Sequence, residues 1–233
     1  GEISLPGLNP DYAYGVTTVQ FGGPVWIGLN VNSTNGFVGY IDELRITKGV
    51  ARYTVPEYDQ LEGDPYYKAM PAYLPMNSSG VTDAFSEYVT LQIKPNAAHG
   101  STSISESTGK TVTCTGNAAA STLKSKWGNS SIYFDGSGDS LSVASSSDFD
   151  MTSGDWTWDM WFYIESGSGN GLVCRRTGGA NGWVLTTGGI RGVINGAGFE
   201  GQLPWASPTA NEWHHIAWQK RGMVMEAFID GKL

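Results

Sequence analysis

Three kinds of side chain in this sequence have the types and spacing to do chemistry. They are carboxylates on strand-like stretches, a pair of adjacent histidines, and aromatics that could stack on a ligand. In "GYIDELRITKG" (Gly39 to Gly49), strict alternation would place Tyr40, Asp42, Leu44 and Ile46 on one face and Ile41, Glu43 and Arg45 on the other. A carboxylate sharing a face with aliphatics is costly unless something satisfies it. Asp135 and Asp139 in "FDGSGDSL" loosely resemble a calcium loop but lack the remaining ligands of an EF-hand. The competing reading is a hairpin turn, with glycines supplying positive φ and Asp135 bonding its own turn. His214 and His215 in "EWHHIAW" are neighbours, so on a strand they point to opposite faces and cannot share a metal. They read as core and edge packing.

Hydrolytic chemistry finds little support. A retaining glycosidase needs two carboxylates about 5–5.5 Å apart, for which an E-x-D pattern on a strand would be the cue. Asp42 and Glu43 are adjacent and diverge, Asp159 has only Glu165 six residues on, and Asp148 and Asp150 flank Phe149 in a loop without a third acid. Three histidines and two cysteines offer no nucleophile–base set. The expectation is a protein that is not an enzyme. Sugar stacking is open to Trp161, Tyr163, Trp183, Trp205 and Trp218, although a sandwich core also consumes aromatics. Trp205 stands out because "QLPWASP" reads as a loop between prolines, with Trp183 the second choice.

The elements that must position these residues are strands. The 233 residues are 40% hydrophobic and only 15% charged, with 32 glycines, nine tryptophans and eleven tyrosines, which suits a turn-rich β protein. "PVWIGLN" (24–30) and "GYIDELRIT" (39–47) read as strands. The clearest alternation is "DWTWDMWFYI" (155–164): Trp156, Trp158, Met160, Phe162 and Ile164 on one face, and Thr157, Asp159, Trp161 and Tyr163 on the other. Apolar residues on both faces of its second half suggest a central strand. Further strands are expected at "SIYFD", "DSLSVAS", "GLVCRR", "GWVLTT", "IRGVIN", "WHHIAWQK" and "MVMEAFID", with one helical turn near "SSSDFD". Residues 56–87 are Pro- and Tyr-rich without a clean period and read as a linker or crossing loop. A net charge of −8 with no basic run argues against nucleic acid, and no apolar run is long enough for membrane insertion. Cys114 and Cys174 lie in expected strands and read as free thiols, with a single bridge as the alternative.

Four stretches carry a family pattern: "STGKTVTCTGNAAASTLKSKWGNSSIYFDGSGDSLSV" (107–143), "DFDMTSGDWTWDMWFYI", "NEWHHIAWQKRGMVMEAFIDGKL" and "GFVGYIDELRITKGVARYT". In them the chain resembles the laminin-G-like, concanavalin A-like jelly-roll domains repeated in bacteriophage tail and virion proteins. The resemblance implies an all-β, two-sheet antiparallel jelly-roll sandwich. It also implies a structural and adhesive module of a virion appendage, located on the virion or outside the cell. Its partners would be other virion or filament subunits, most simply in a homo-oligomer, together with host-surface polysaccharide. Relatives often hold a structural Ca²⁺ with an aspartate on the closing strand, which makes Asp42 a candidate ligand and brings Asp135 and Asp139 beside it; against this stands a hydrogen-bonded Asp42 with no ion. The order is unusual. Family order ends with the "GYIDELRIT" strand, whereas here it comes first. Residues 1–55 therefore read as the C-terminal strands of such a sandwich and 88–233 as its N-terminal and central part. Either the chain is a window cut from tandem repeats, or 1–55 complete the sandwich in the same or a neighbouring chain. Two other functional readings stand beside the virion one: a carbohydrate-binding module of a secreted bacterial adhesin or enzyme, and a filament subunit assembled by strand exchange.

Overall fold

The computed structural model describes residues 23–29, 36–53, 83–151, 153–166, 171–177, 181–194, 197–199, 208–222 and 224–231. Among them are fourteen strands: β1 (Val25–Ile27), β2 (Val38–Lys48), β3 (Val89–Ile93), β4 (Val112–Thr115), β5 (Ala119–Ser121), β6 (Ser131–Asp135), β7 (Ser140–Val143), β8 (Trp156–Ser166), β9 (Gly171–Thr177), β10 (Asn181–Thr186), β11 (Gly189–Ile194), β12 (Ala197–Phe199), β13 (Trp213–Arg221) and β14 (Val224–Ile229). The two helical turns described are single 3₁₀ turns, Ser86–Tyr88 and Ser147–Phe149. The second is the turn expected near "SSSDFD", capped by the Ser146 hydroxyl, which accepts from the Asp148 N–H.

The strands form two antiparallel sheets packed face to face, an all-β sandwich. Sheet A runs β12-β11-β10-β9-β1-β7-β4, and sheet B runs β14-β13-β8-β2-β6-β5 with β3 also paired to β2. Between them lies one apolar cluster that includes Val25, Ile27, Leu141 and Val143 from sheet A and Ile46, Ile132, Phe134, Trp158, Met160 and Phe162 from sheet B. The alternation read for β8 holds: Trp156, Trp158, Met160, Phe162 and Ile164 all join this cluster. β8 is central, with β2 on one side and β13 on the other.

The early strands sit inside both sheets. β1 lies between β7 and β9, and β2 lies between β8 and the pair β3 and β6. Here the structure corrects the simple alternation of "GYIDELRITKG". Opposite β8, Asp42 pairs with Trp161 and Arg45 with Asp159, so two residues of β2 face one of β8. The extra residue is a bulge at Glu43, which has φ of 51°. It reverses the parity of everything after it. Ile41, Leu44 and Ile46 face the core. The outer face takes Tyr40, Asp42, Arg45 and Thr47, so Asp42 does not share its face with Leu44 and Ile46.

The bulge has a cause in the neighbouring strands. On the side away from β8, β2 pairs with β6 over Val38–Ile41 and with β3 over Leu44–Thr47. Asp42 and Glu43 fall at the seam where one partner strand ends and the other begins. Gly39 serves the same strand at a close approach. Its φ is 148°, and a Cβ there would lie 2.0 Å from the Tyr163 carbonyl oxygen.

Cys114 and Cys174 are both free thiols. They lie on β4 and β9, with β7 and β1 between. Three inter-strand steps, about 14 Å, are too far for a disulfide.

Candidate functional site

The outer face of sheet B gathers most of the residues singled out in the sequence. Cross-strand register arranges them in rows. The first row is Tyr133, Tyr40, Tyr163 and Trp213, one from each of β6, β2, β8 and β13. The next pairs Asp42 with Trp161 and Trp161 with His215. The third runs Gln92, Arg45, Asp159, Ala217 and Phe228, and the fourth Thr47, Thr157, Gln219 and Glu226.

The third and fourth rows, apart from their half-buried ends Gln92 and Glu226, are buried beneath a strap made by residues 50–53 and 83–88. Asp159 and Arg45 form a two-point ion pair, Nε to Oδ2 at 3.1 Å and Nη2 to Oδ1 at 2.8 Å. Arg45 also donates to Asp83 at 3.2 Å, and Arg52 donates to the other Asp83 oxygen at 2.5 Å. Burial alone would push the Asp159 pKa up, but the charge of Arg45 and a hydrogen bond from His215 hold it down at about 2. Tyr53 lies on Ala217 and Phe228, and its N–H donates to the Gln219 side chain. Through Arg45, Arg52 and Asp83, the Asp159 ion pair fastens the strap to the sheet.

Asp42 does comparable work on the other side of the seam. Its Oδ2 accepts the N–H groups of Lys126 (2.8 Å) and Trp127 (3.1 Å), pinning the loop that leads into β6. Its Oδ1 is buried without a partner. Burial raises the Asp42 pKa to about 6, against the lowering effect of the N–H donors. Glu43 is pushed up to about 7 by burial and by the neighbouring Asp42 charge. A cavity of about 10 Å³, room for about one water, touches both residues.

The other two calcium candidates are held in the same manner. Asp139 is buried and accepts the N–H groups of Asn117 (2.5 Å) and Asp135 (2.7 Å). Asp135 accepts the Ser137 N–H at 2.7 Å and the Asn117 amide at 3.1 Å, and the first of these chiefly lowers its pKa. A Ca²⁺ shell is built from six to eight oxygens, whereas these carboxylates face N–H groups. Among the described residues no group of three or more His, Cys, Asp or Glu side chains converges. As placed, Asp42, Asp135 and Asp139 do not fit a Ca²⁺ shell.

The two histidines diverge as expected. His214 lies against the core residue Phe162 and bonds Asp230 at 2.7 Å, while His215 lies against Trp161 and Tyr53 on the outer face. Of the stacking candidates, Trp218 is a core residue at 4.7 Å from Trp156. Trp183 sits on β10 opposite Gly192 and Arg175, and its side chain lies outside the described residues. Trp205 lies wholly outside them. Trp161 and Tyr163 are on the outer face and half-buried.

Sequence reasoning missed the strap, the bulge and the loop 124–127. That loop places Lys124 5.3 Å and 5.1 Å from the ring centres of Tyr40 and Tyr163, and Lys126 4.0 Å from that of Trp161. The run "KSKW" was a usable signal: two cations beside an indole in a turn-rich stretch. A separate groove of about 420 Å³ runs along β3, lined by hydroxyl, amide and charged groups from Asp83, Ser86, Gln92, Lys94, Ser107 and Thr108, without an aromatic. No family model, curated protein or solved structure matches the chain.

Proposed function

We propose that this chain is a structural and adhesive module of a virion appendage, such as a tail or surface fibre, without catalytic activity of its own. One observation carries the reading: the "SIYFDG" strand, which opens the family pattern, pairs directly with the "GYIDELRIT" strand, which closes it, from Val38 opposite Asp135 to Ile41 opposite Ile132. That pairing supports a laminin-G-like jelly-roll whose end and beginning meet in one sandwich. Support against catalysis comes from Asp42, Asp139 and Asp159, whose bonds hold loops and the strap in place. The module works as a homo-oligomer among other virion subunits and meets host-surface polysaccharide. The half-buried aromatics on sheet B equally favour a second reading, a carbohydrate-binding module of a secreted adhesin.

A glycan array probed with the purified chain, alongside native mass spectrometry, tests the proposal. Binding to bacterial-surface glycans by a closed oligomer is the expected result. A chain that binds no glycan and remains a monomer at every concentration would overturn it.

A further inference from the structure

On the outer face of sheet B, four aromatics stand side by side on four adjacent strands. Ring centres are 4.9 Å apart for Tyr133 and Tyr40, 5.9 Å for Tyr40 and Tyr163, and 5.6 Å for Tyr163 and Trp213. Tyr40 is buried at the centre of the row, while Tyr133, Tyr163 and Trp213 are half-buried. Three strand spacings make the row about 14 Å long. The interplanar angles of 45°, 83° and 63° rule out a flat platform, so the row suits a short twisted ligand rather than a crystalline polymer.

Beside the row lies an unusual cation. The Lys126 ammonium is 4.0 Å from the ring centre of Trp161 and 5.6 Å from that of Trp127, which meet edge to face at 6.4 Å. Among the described residues no carboxylate lies within 4 Å of it. The acid whose charge acts on it is Asp230, already held by His214 and by the His215 N–H. Burial pulls the Lys126 pKa down, with Asp230 acting in the opposite sense. Lys124, over Tyr40 and Tyr163, is in contrast balanced by Glu165 at 3.5 Å. A half-buried ammonium held by indole faces, on a chain of net charge −8, is charge waiting for an external anion.

We propose that the outer face of sheet B binds an acidic saccharide, with Lys126 on Trp161 and Trp127 receiving the sugar's anionic group and the half-buried Tyr133, Tyr163 and Trp213, which flank the buried Tyr40, receiving its rings. This names the ligand class and site for the adhesive reading and rests on it. Phenol hydroxyls and indole N–H groups beside π faces match a ligand that is apolar on its ring faces and polar at its edges. The aromatics come from β2, β6, β8 and β13, so the site exists only when the early strand and the later strands share one sandwich.

Affinity electrophoresis of the whole chain in gels containing polygalacturonate, dextran sulfate or neutral dextran tests the site. Retardation is expected in the acidic gels and not in dextran, and it weakens as NaCl is added. Lys126→Met keeps the apolar stem on the indoles and is expected to weaken the acidic interaction at least tenfold. Tyr133→Leu, at the half-buried end of the row, weakens it severalfold, and Lys220→Met leaves it unchanged. Equal retardation of Lys126→Met and the parent chain would overturn the proposal. So would a change in solution mass in either variant, which would mark the face as a subunit interface. Glycan-array binding that survives Lys126→Met but is lost in Trp205→Ala would overturn this site while leaving the adhesive reading standing. Absence of binding to every glycan and polymer, by a chain that also remains a monomer, would overturn both.

Discussion

Replacing Asp42 with asparagine separates two accounts of the closing strand, because they demand opposite responses to pH. In the structure the carboxylate is buried at a seam and satisfied by two backbone N–H groups, with one oxygen left over. Burial raises its pKa from 3.8 to about 6. A tenfold change in proton affinity is about 1.4 kcal/mol, so keeping Asp42 ionised at pH 8 costs about 3 kcal/mol. The sign follows from linkage: a carboxylate with a raised folded pKa contributes stability that is complete below its ordinary value near 4. That contribution is lost as pH rises through about 6. Asparagine retains an acceptor for an N–H and carries no charge. Asp42→Asn is therefore expected to match the parent near pH 3 and to exceed it at pH 8 by up to about 3 kcal/mol, roughly 6–12 °C in Tm for a chain of this size. Removing the Asp42 charge also relieves Glu43, whose pKa of about 7 is partly its neighbour's doing. Thermal unfolding followed by near-UV circular dichroism at the two pH values, with and without EDTA, reads the effect. A variant less stable than the parent at pH 8, or a parent transition lowered by EDTA, would refute the reasoning and point to a metal ligand.

Other outcomes follow from the same geometry. Asp159→Asn leaves the Arg45 guanidinium buried without its two-point partner and is expected to cost about 3–5 kcal/mol in urea unfolding. Gly39→Ala forces a Cβ against the Tyr163 carbonyl at a φ of 148°, and a loss of about 1–3 kcal/mol is expected by the same assay. Cys114, half-buried, is expected to react with a thiol reagent in the native chain while buried Cys174 reacts only after unfolding. Two thiols titrating in denaturant without reductant confirm that neither is bridged.

Much of the sandwich is written in the alternation of individual strands. "DWTWDMWFYI" shows its two faces because β8 is long, flanked on both sides and regular from Trp156 to Ile164, its own irregularity falling beyond that stretch at Glu165. "GYIDELRITKG" does not, because its bulge is imposed by the gap between β3 and β6, a property of the partners rather than of the segment. The short strands β5 and β12, three residues each, lack a period to read. On the outer face, Trp161 and Tyr163 were legible as surface aromatics, and Tyr40 and Tyr133 were visible within their motifs. Their assembly into one row depends on cross-strand register, which no local pattern encodes. Asp83 gave no signal at all, since its role depends on two arginines 31 and 38 positions away.

The central claim is that the "GYIDELRIT" strand closes the same sandwich that the later strands build, within one chain. Isotope-filtered NMR on an equimolar mixture of labelled and unlabelled chains measures this directly, through backbone contacts between Ile41 and Phe162 and between Ile46 and Trp158. These contacts are expected only within labelled chains. Contacts that cross between labelled and unlabelled chains would show that β2 is donated by a neighbour, and their absence in both would show that β2 and β8 do not pair.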